Sequence, residues 1–372
     1  MKRTSMSLTR KHLASTGSLL GISALLLAGC GAAPEASSSS STSSGSNDYL
    51  GCIVSDFGGF QDKSFNQNSY KGLKDAVAEY GIKYRDAEST TETEYAPNLD
   101  QMVQSGCNLT ITVGFGLADA TKEVAEANPD MHFTIVDDNS IELDNVRPIV
   151  FDTAQAAFQA GYLAAAQTKT GKVATYGGME FPTVTIFMDG FAQGVAYYNE
   201  QKGANVEVLG WNTEAQSGTF TGDFEDATKG KTNTQNFLDQ GADIILPVAG
   251  PVGSGTLEAV KEYNATSPEN LASVIWVDAD GVETNPDFQD IILTSIMKKM
   301  DAAITETIKS DMDGNFTSDA YIGTLENDGV GLAPFHSFES AVSDETKAEL
   351  DKIKEDIISG TIKVETAGTP TA

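Results

Sequence analysis

The chain has 372 residues and a net charge of −29, with 53 acidic against 24 basic side chains. A surface this acidic repels nucleic acid and anionic lipid, which excludes both as partners recognised by charge. Three histidines, His12, His132 and His336, lie far apart with no zinc-ligand spacing, and neither a GxSxG elbow nor a GxxxxGK(S/T) phosphate loop occurs, so no metal, no cofactor and no catalytic group is expected.

A basic start (Lys2, Arg3, Arg10, Lys11) precedes an apolar run that closes on Leu27-Ala28-Gly29-Cys30. This is the layout of a signal peptide ending in a lipobox. Residues 1–29 are expected to be removed, leaving Cys30 to carry a diacylglyceryl group. The apolar run is about half the roughly 20 residues a bilayer span requires, whereas two acyl chains suffice for stable anchoring. Residues 30–47 are serine-rich, most densely from Ala36 to Ser46, and read as a flexible tether. The folded part is thus expected on the extracytoplasmic face of the cell membrane, touching it through the lipid alone. Its roughly 325 residues exceed one hydrophobic core, so two domains are expected. With Cys30 lipidated, Cys52 and Cys107 remain, each at the start of a strand-like run. They are either a disulfide or two buried thiols.

From residue 50 onward, short β-branched runs alternate with amphipathic stretches. Strands are expected over 50–55, 109–113, 132–136, 172–176, 206–211, 243–248, 273–277 and 291–295. Helices are expected between them, including 154–168, 183–202, 297–309 and 346–359. Tyr70, Leu73, Val77 and Tyr80 recur as one buried helix face would. Such alternation means βαβ units and parallel sheets, an α/β fold. The expected strands end on Asp56, Gly114, Asp137, Gly177, Trp211, Gly250 and Asp278. In open α/β sheets the ligand crevice lies outside the carboxyl ends of the strands; small residues there admit a ligand and carboxylates accept from hydroxyls.

The segment from Ser55 to Gln67 joins the first strand to the first helix. It exceeds the two to six residues a plain connector uses and is packed with hydrogen-bonding side chains. Ser64 or Asn66 is placed to cap the helix; alternatively Asp56, Phe65 and Asn66 form a ligand loop.

The run Asp56-x-Gly-Gly-x-x-Asp62-Lys63-Ser64-Phe65-Asn66 resembles the opening signature of the basic membrane protein family. The likeness continues at 186–194, 241–245 and 292–299, nearly the whole folded part. Members are lipoprotein substrate-binding components of ABC importers, and characterised ones bind purine nucleosides. The resemblance implies a two-domain type I periplasmic binding protein fold with parallel sheets flanked by helices and a hinge of three crossovers. The domains would be 48–152 plus 278–325 and 153–277 plus 326–372. The implied ligand contacts are Asp56, Phe65, Asn66, Asp137, Phe224, Gly250, Asp278 and Lys298, with Phe65 and Phe224 stacking on a purine (adenosine, guanosine or inosine) and Asp278 and Asp137 accepting from ribose hydroxyls. The implied protein partner is an ABC permease, and the chain would not be an enzyme. From the residues alone, Phe224 fits loop packing equally well, and Lys298 opens an apparent helix where it would be solvated. Trp276 stands where the family commonly has glycine, and Pro251 follows Gly250; both are expected to alter pocket shape. A sugar or autoinducer receptor on the same fold, and an exported enzyme or adhesin, remain the alternatives.

Overall fold

The computed structural model describes residues 48–269 and 271–371; Cys30, the signal peptide and the serine tract lie outside them. The first half runs β1 (Leu50–Ser55), α1 (Phe65–Tyr80), β2 (Lys83–Ala87), α2 (Tyr95–Gln104), β3 (Leu109–Val113), α3 (Ala118–Ala127), β4 (His132–Val136), β5 (Val146–Phe151) and α4 (Thr153–Gln167). It continues with β6 (Lys172–Gly177), α5 (Pro182–Lys202), β7 (Glu207–Leu209), β8 (Trp211–Asn212), β9 (Ser217–Gly218), α6 (Ala227–Asp239), β10 (Ile244–Val248) and α7 (Gly253–Thr266). The last stretch holds β11 (Ser273–Asp278), α8 (Gly281–Thr284), β12 (Ile292–Lys298), α9 (Met300–Met312), β13 (Tyr321–Gly323), β14 (Val330–Leu332) and α10 (Asp344–Ile358).

Two six-stranded sheets organise these elements, in the orders β13-β5-β4-β3-β1-β2 and β14-β12-β11-β10-β6-β7. Within these two sheets every pairing among the described residues is parallel except β14 on β12, and β8 and β9 form a separate antiparallel pair. Central strands of a parallel sheet are covered on both faces and are buried without alternation. Accordingly β3 (LTITV), β10 (IILPV) and β11 (SVIWVD) are buried throughout. In the second lobe α4 and α5 cross closely at glycines: a Cβ on Gly161 would meet the Phe191 carbonyl oxygen at 2.0 Å, and one on Gly194 that of Phe158 at 2.0 Å. In the first lobe Cys52 of β1 is disulfide-bonded to Cys107, which leads into the neighbouring β3, with Cα atoms 6.0 Å apart.

The chain passes between lobes after Phe151, after Lys298 and between Gly323 and Val330. The second passage corrects the boundaries expected from sequence, which put 278–325 in the first lobe. β12 pairs in parallel with β11 in the second sheet, because the short α8 returns the chain to the same sheet. Only α9 and β13, from Met300 to Gly323, rejoin the first lobe. The same finding replaces the expected helix start at 297: Lys298 is the last residue of β12, buried, and not a solvated helix opener.

Candidate functional site

The carboxyl ends of both sheets face one cleft, the place where open α/β sheets hold their ligands. The eight residues expected from sequence, Asp56, Phe65, Asn66, Asp137, Phe224, Gly250, Asp278 and Lys298, all line it.

The loop after β1 is shaped by Asp62. Its carboxylate accepts the backbone N–H of Ser64 (3.0 Å), Asn66 (2.8 Å) and Gln67 (2.9 Å), satisfying the free donors at the start of α1. Neither Ser64 nor Asn66 serves as the side-chain cap that sequence suggested. The Ser64 hydroxyl instead donates across the cleft to Asp278 Oδ2 at 2.8 Å. The Asn66 amide donates through Nδ2 to Asp56 Oδ1 at 2.7 Å, which leaves Asn66 Oδ1 buried and without a partner.

Asp137, just past β4, and Asp278, ending β11, both sit in the left-handed region, at φ 64° and 69°. That conformation is costly for a side chain with a Cβ and is found where a site requires it; both carboxyls are thereby turned into the cleft. Between them lies the ammonium of Lys298, 3% exposed. It is 2.5 Å from Asp137 Oδ2 and 3.8 Å from Asp278 Oδ1. Three rings surround it: Phe65 at 5.2 Å, Phe187 at 5.3 Å and Phe151 at 5.8 Å from their centroids, distances at which a ring face attracts a cation.

Phe65 opens α1 in the first lobe, whereas Phe224 follows β9 in the second, so each lobe contributes an aromatic face. Phe224 rests on Gly178, where a Cβ would come within 2.3 Å of its ring, and stacks on Phe181 with centroids 6.5 Å apart. Gly250 adopts φ 51° with nothing within 4 Å of its absent side chain, open room at the cleft wall. Pro251 lines the cleft beside it. Trp276 does not: it is 1% exposed in the core of the second lobe, stacked over Gly253 and Gly281, so the departure from glycine leaves the lining unchanged. Sequence reasoning missed Phe115 and Phe187, which lie in the lining, and Asn68, whose Nδ2 donates to the carbonyls of Lys298 (2.7 Å) and Asp278 (3.2 Å). Phe187 falls inside a motif already singled out, and Asn68 is one helical turn after Ser64. Both signals were available, but neither distinguishes a lining residue from a core one.

Residues 51–367 match the family described as Bmp, ABC transporter substrate-binding protein PnrA-like. The chain belongs to this family. It is 30% identical over 376 residues to the CD4+ T-cell-stimulating antigen of Listeria innocua, covering 98% of this chain and 99% of that one. It is also 30% identical over 369 residues to the ABC transporter nucleoside-binding protein BmpA of Lactococcus lactis subsp. cremoris, covering 95% and 99%. The crystal structure of ABC transporter system solute-binding proteins from Aeropyrum pernix K1 superimposes with a TM-score of 0.76 at 27% identity, covering 87% of this chain and 94% of that one. The architecture is therefore the type I periplasmic-binding fold, and the protein is a substrate-binding component of an ABC transporter, not an enzyme. Among the described residues no cluster of potential ligands holds a metal, and no helix is long and apolar enough to cross a membrane.

Burial dominates the electrostatics of this Bmp-family cleft. It pushes the Asp56 carboxyl up to about 8, against the lowering effect of the Asn66 amide. It raises Asp62 as well, opposed by the N–H groups that carboxylate accepts. Burial lifts Asp278 to about 6, with Lys298 and Ser64 holding it down. At neutral pH Asp56 is mostly protonated and offers a donor as well as an acceptor. A carboxyl whose folded pKa is raised binds its proton more tightly folded than unfolded, so its contribution to stability falls as pH rises to the folded value and is constant above it. The melting temperature of Asp56→Asn minus that of the parent chain is therefore expected to grow from pH 6 to pH 9. A difference that stays constant over that range would contradict the raised Asp56.

Proposed function

We propose that the cleft binds a purine nucleoside for import through the partner permease, and that a lipid on Cys30 holds the protein at the membrane. The orphaned Asn66 Oδ1 carries the reading. A buried acceptor without a partner is costly, and an N–H on a purine edge satisfies it. The remaining features agree with that choice. Aromatic faces from the two lobes, Phe65 and Phe224, suit a flat apolar base. Asp278 and Asp137 suit ribose hydroxyls, which are donors. A phosphate would meet the carboxylates of Asp62, Asp137 and Asp278 with Lys298 already engaged by two of them, so a free nucleoside is favoured over a nucleotide. The Lactococcus lactis relative, named as a nucleoside-binding protein, points the same way. The lobes, joined by three strands of chain, close by a hinge motion on the ligand.

Adenosine, guanosine or inosine should raise the melting temperature of the protein by several degrees. At a hundred times Kd, binding adds about 2.7 kcal/mol. A rise with a free hexose or pentose and none with any nucleoside would contradict the assignment. For the anchor, Cys30→Ser should move the protein from the membrane fraction to the medium on cell fractionation. Retention in the membrane fraction would sink the lipid reading.

A further inference from the structure

The N-terminal turn of α1 belongs to the first lobe, yet two of its side chains, four residues apart, are spent on strand ends of the second lobe. Ser64, fully buried, donates to Asp278 Oδ2 at 2.8 Å. Asn68, 8% exposed, bonds the carbonyls of Asp278 and Lys298 at 3.2 and 2.7 Å. Asp62 already satisfies the helix start, so the Ser64 hydroxyl is released from the capping role its position suggests. Asp278 is left with one oxygen, Oδ1, that no bond within hydrogen-bonding distance consumes; the Lys298 ammonium stands 3.8 Å from it.

We propose that Ser64 is a positioning residue for ligand recognition: by engaging Oδ2 from the opposite lobe, it fixes the Asp278 carboxylate so that Oδ1 is presented to a hydroxyl-bearing ligand. The proposal deepens the nucleoside reading and rests on it for the identity of the ligand. The geometry gives the hydroxyl two effects. It locks the rotation of a carboxylate whose backbone is already held in the left-handed region, which lowers the cost of ordering it on binding. It also stabilises the ionised form, the better acceptor. The charged groups facing Asp278 are Lys298 on β12, Asp137 after β4 and Asp62 in the loop before α1, and none of them is altered by a change at Ser64.

The test combines Ser64→Ala with Ser64→Thr, which keeps the hydroxyl, in calorimetric titrations of inosine and 2′,3′-dideoxyinosine. In Ser64→Ala the affinity for inosine should fall about tenfold, the scale of a hydrogen bond to a charged group. The dideoxy analogue should be unaffected, and Ser64→Thr should restore inosine binding. Equal losses for both compounds would reduce Ser64 to a structural role and overturn the proposal. A ligand-free readout separates this from the choice of ligand: the carbon-13 titration of the Asp278 carboxyl should move to higher pH in Ser64→Ala and stay in place in Ser64→Thr. An unmoved midpoint in Ser64→Ala overturns the proposal whatever the ligand. If neither inosine nor its analogue binds the parent chain while the midpoint does move, the nucleoside reading fails and the positioning role stands.

Discussion

One buried ammonium organises the cleft. Lys298 ends a strand of the second lobe, and its charge is shared between Asp278 of that lobe and Asp137 of the first. Removing a lysine and two carboxylates from water costs several kcal/mol per ion, and only close pairing offsets it. The pairing therefore constrains where the ends of β4, β11 and β12 sit relative to one another. The left-handed backbones of Asp137 and Asp278 follow from the same demand, since both carboxyls must turn toward a single cation. The rings of Phe65, Phe151 and Phe187 close the remaining faces of the ammonium and keep it dry.

The consequence is a cleft with more acceptors than donors. Lys298 has its partners already, Asn66 Oδ1 has none, and the Asp278 oxygen facing Lys298 is not closely bonded. Donors must come from the ligand, which favours neutral molecules bearing N–H and O–H groups and disfavours anions. The acidity of the whole chain has a separate cause and effect: it keeps the surface solvated and carries no information about the cleft. The same fold class hosts ligands of many kinds, so chemistry at the strand ends, and not architecture, is what selects the ligand.

Much of this was legible in the sequence. Buried parallel strands such as β1, β3 and β11 announce themselves as apolar runs, and a carboxylate or glycine directly after such a run falls at the crevice. Asp56, Asp137 and Asp278 were found that way. Lys298 was misplaced by register because the apolar spacing of Ile296, Met297 and Met300 runs without a break from β12 into α9, and a periodicity cannot mark where one element ends. The second lobe crossing falls after 298 and not at 278 for a different reason: β12 pairs with β11 in the second sheet, a long-range pairing that no local pattern displays. The edge strands β2, β13 and β14 went unread because they are short or polar: β2 is KYRDA, and β13 and β14 are three residues each. Asp62 caps α1 from within the same loop, but the turn of the Ser64 hydroxyl toward Asp278 is a contact 214 residues apart in sequence, which local propensity does not contain.

The charge pairing is tested most directly by titrating inosine calorimetrically into Lys298→Met, whose unbranched side chain is one atom shorter than that of lysine and keeps its apolar stem without its charge. Circular dichroism would confirm that the lobes remain folded. If Lys298 holds Asp137 and Asp278 as the ligand's acceptors, the affinity falls by about a hundredfold or more, the scale of leaving buried carboxylates unpaired. A folded Lys298→Met protein that binds inosine within about threefold of the parent chain would contradict it.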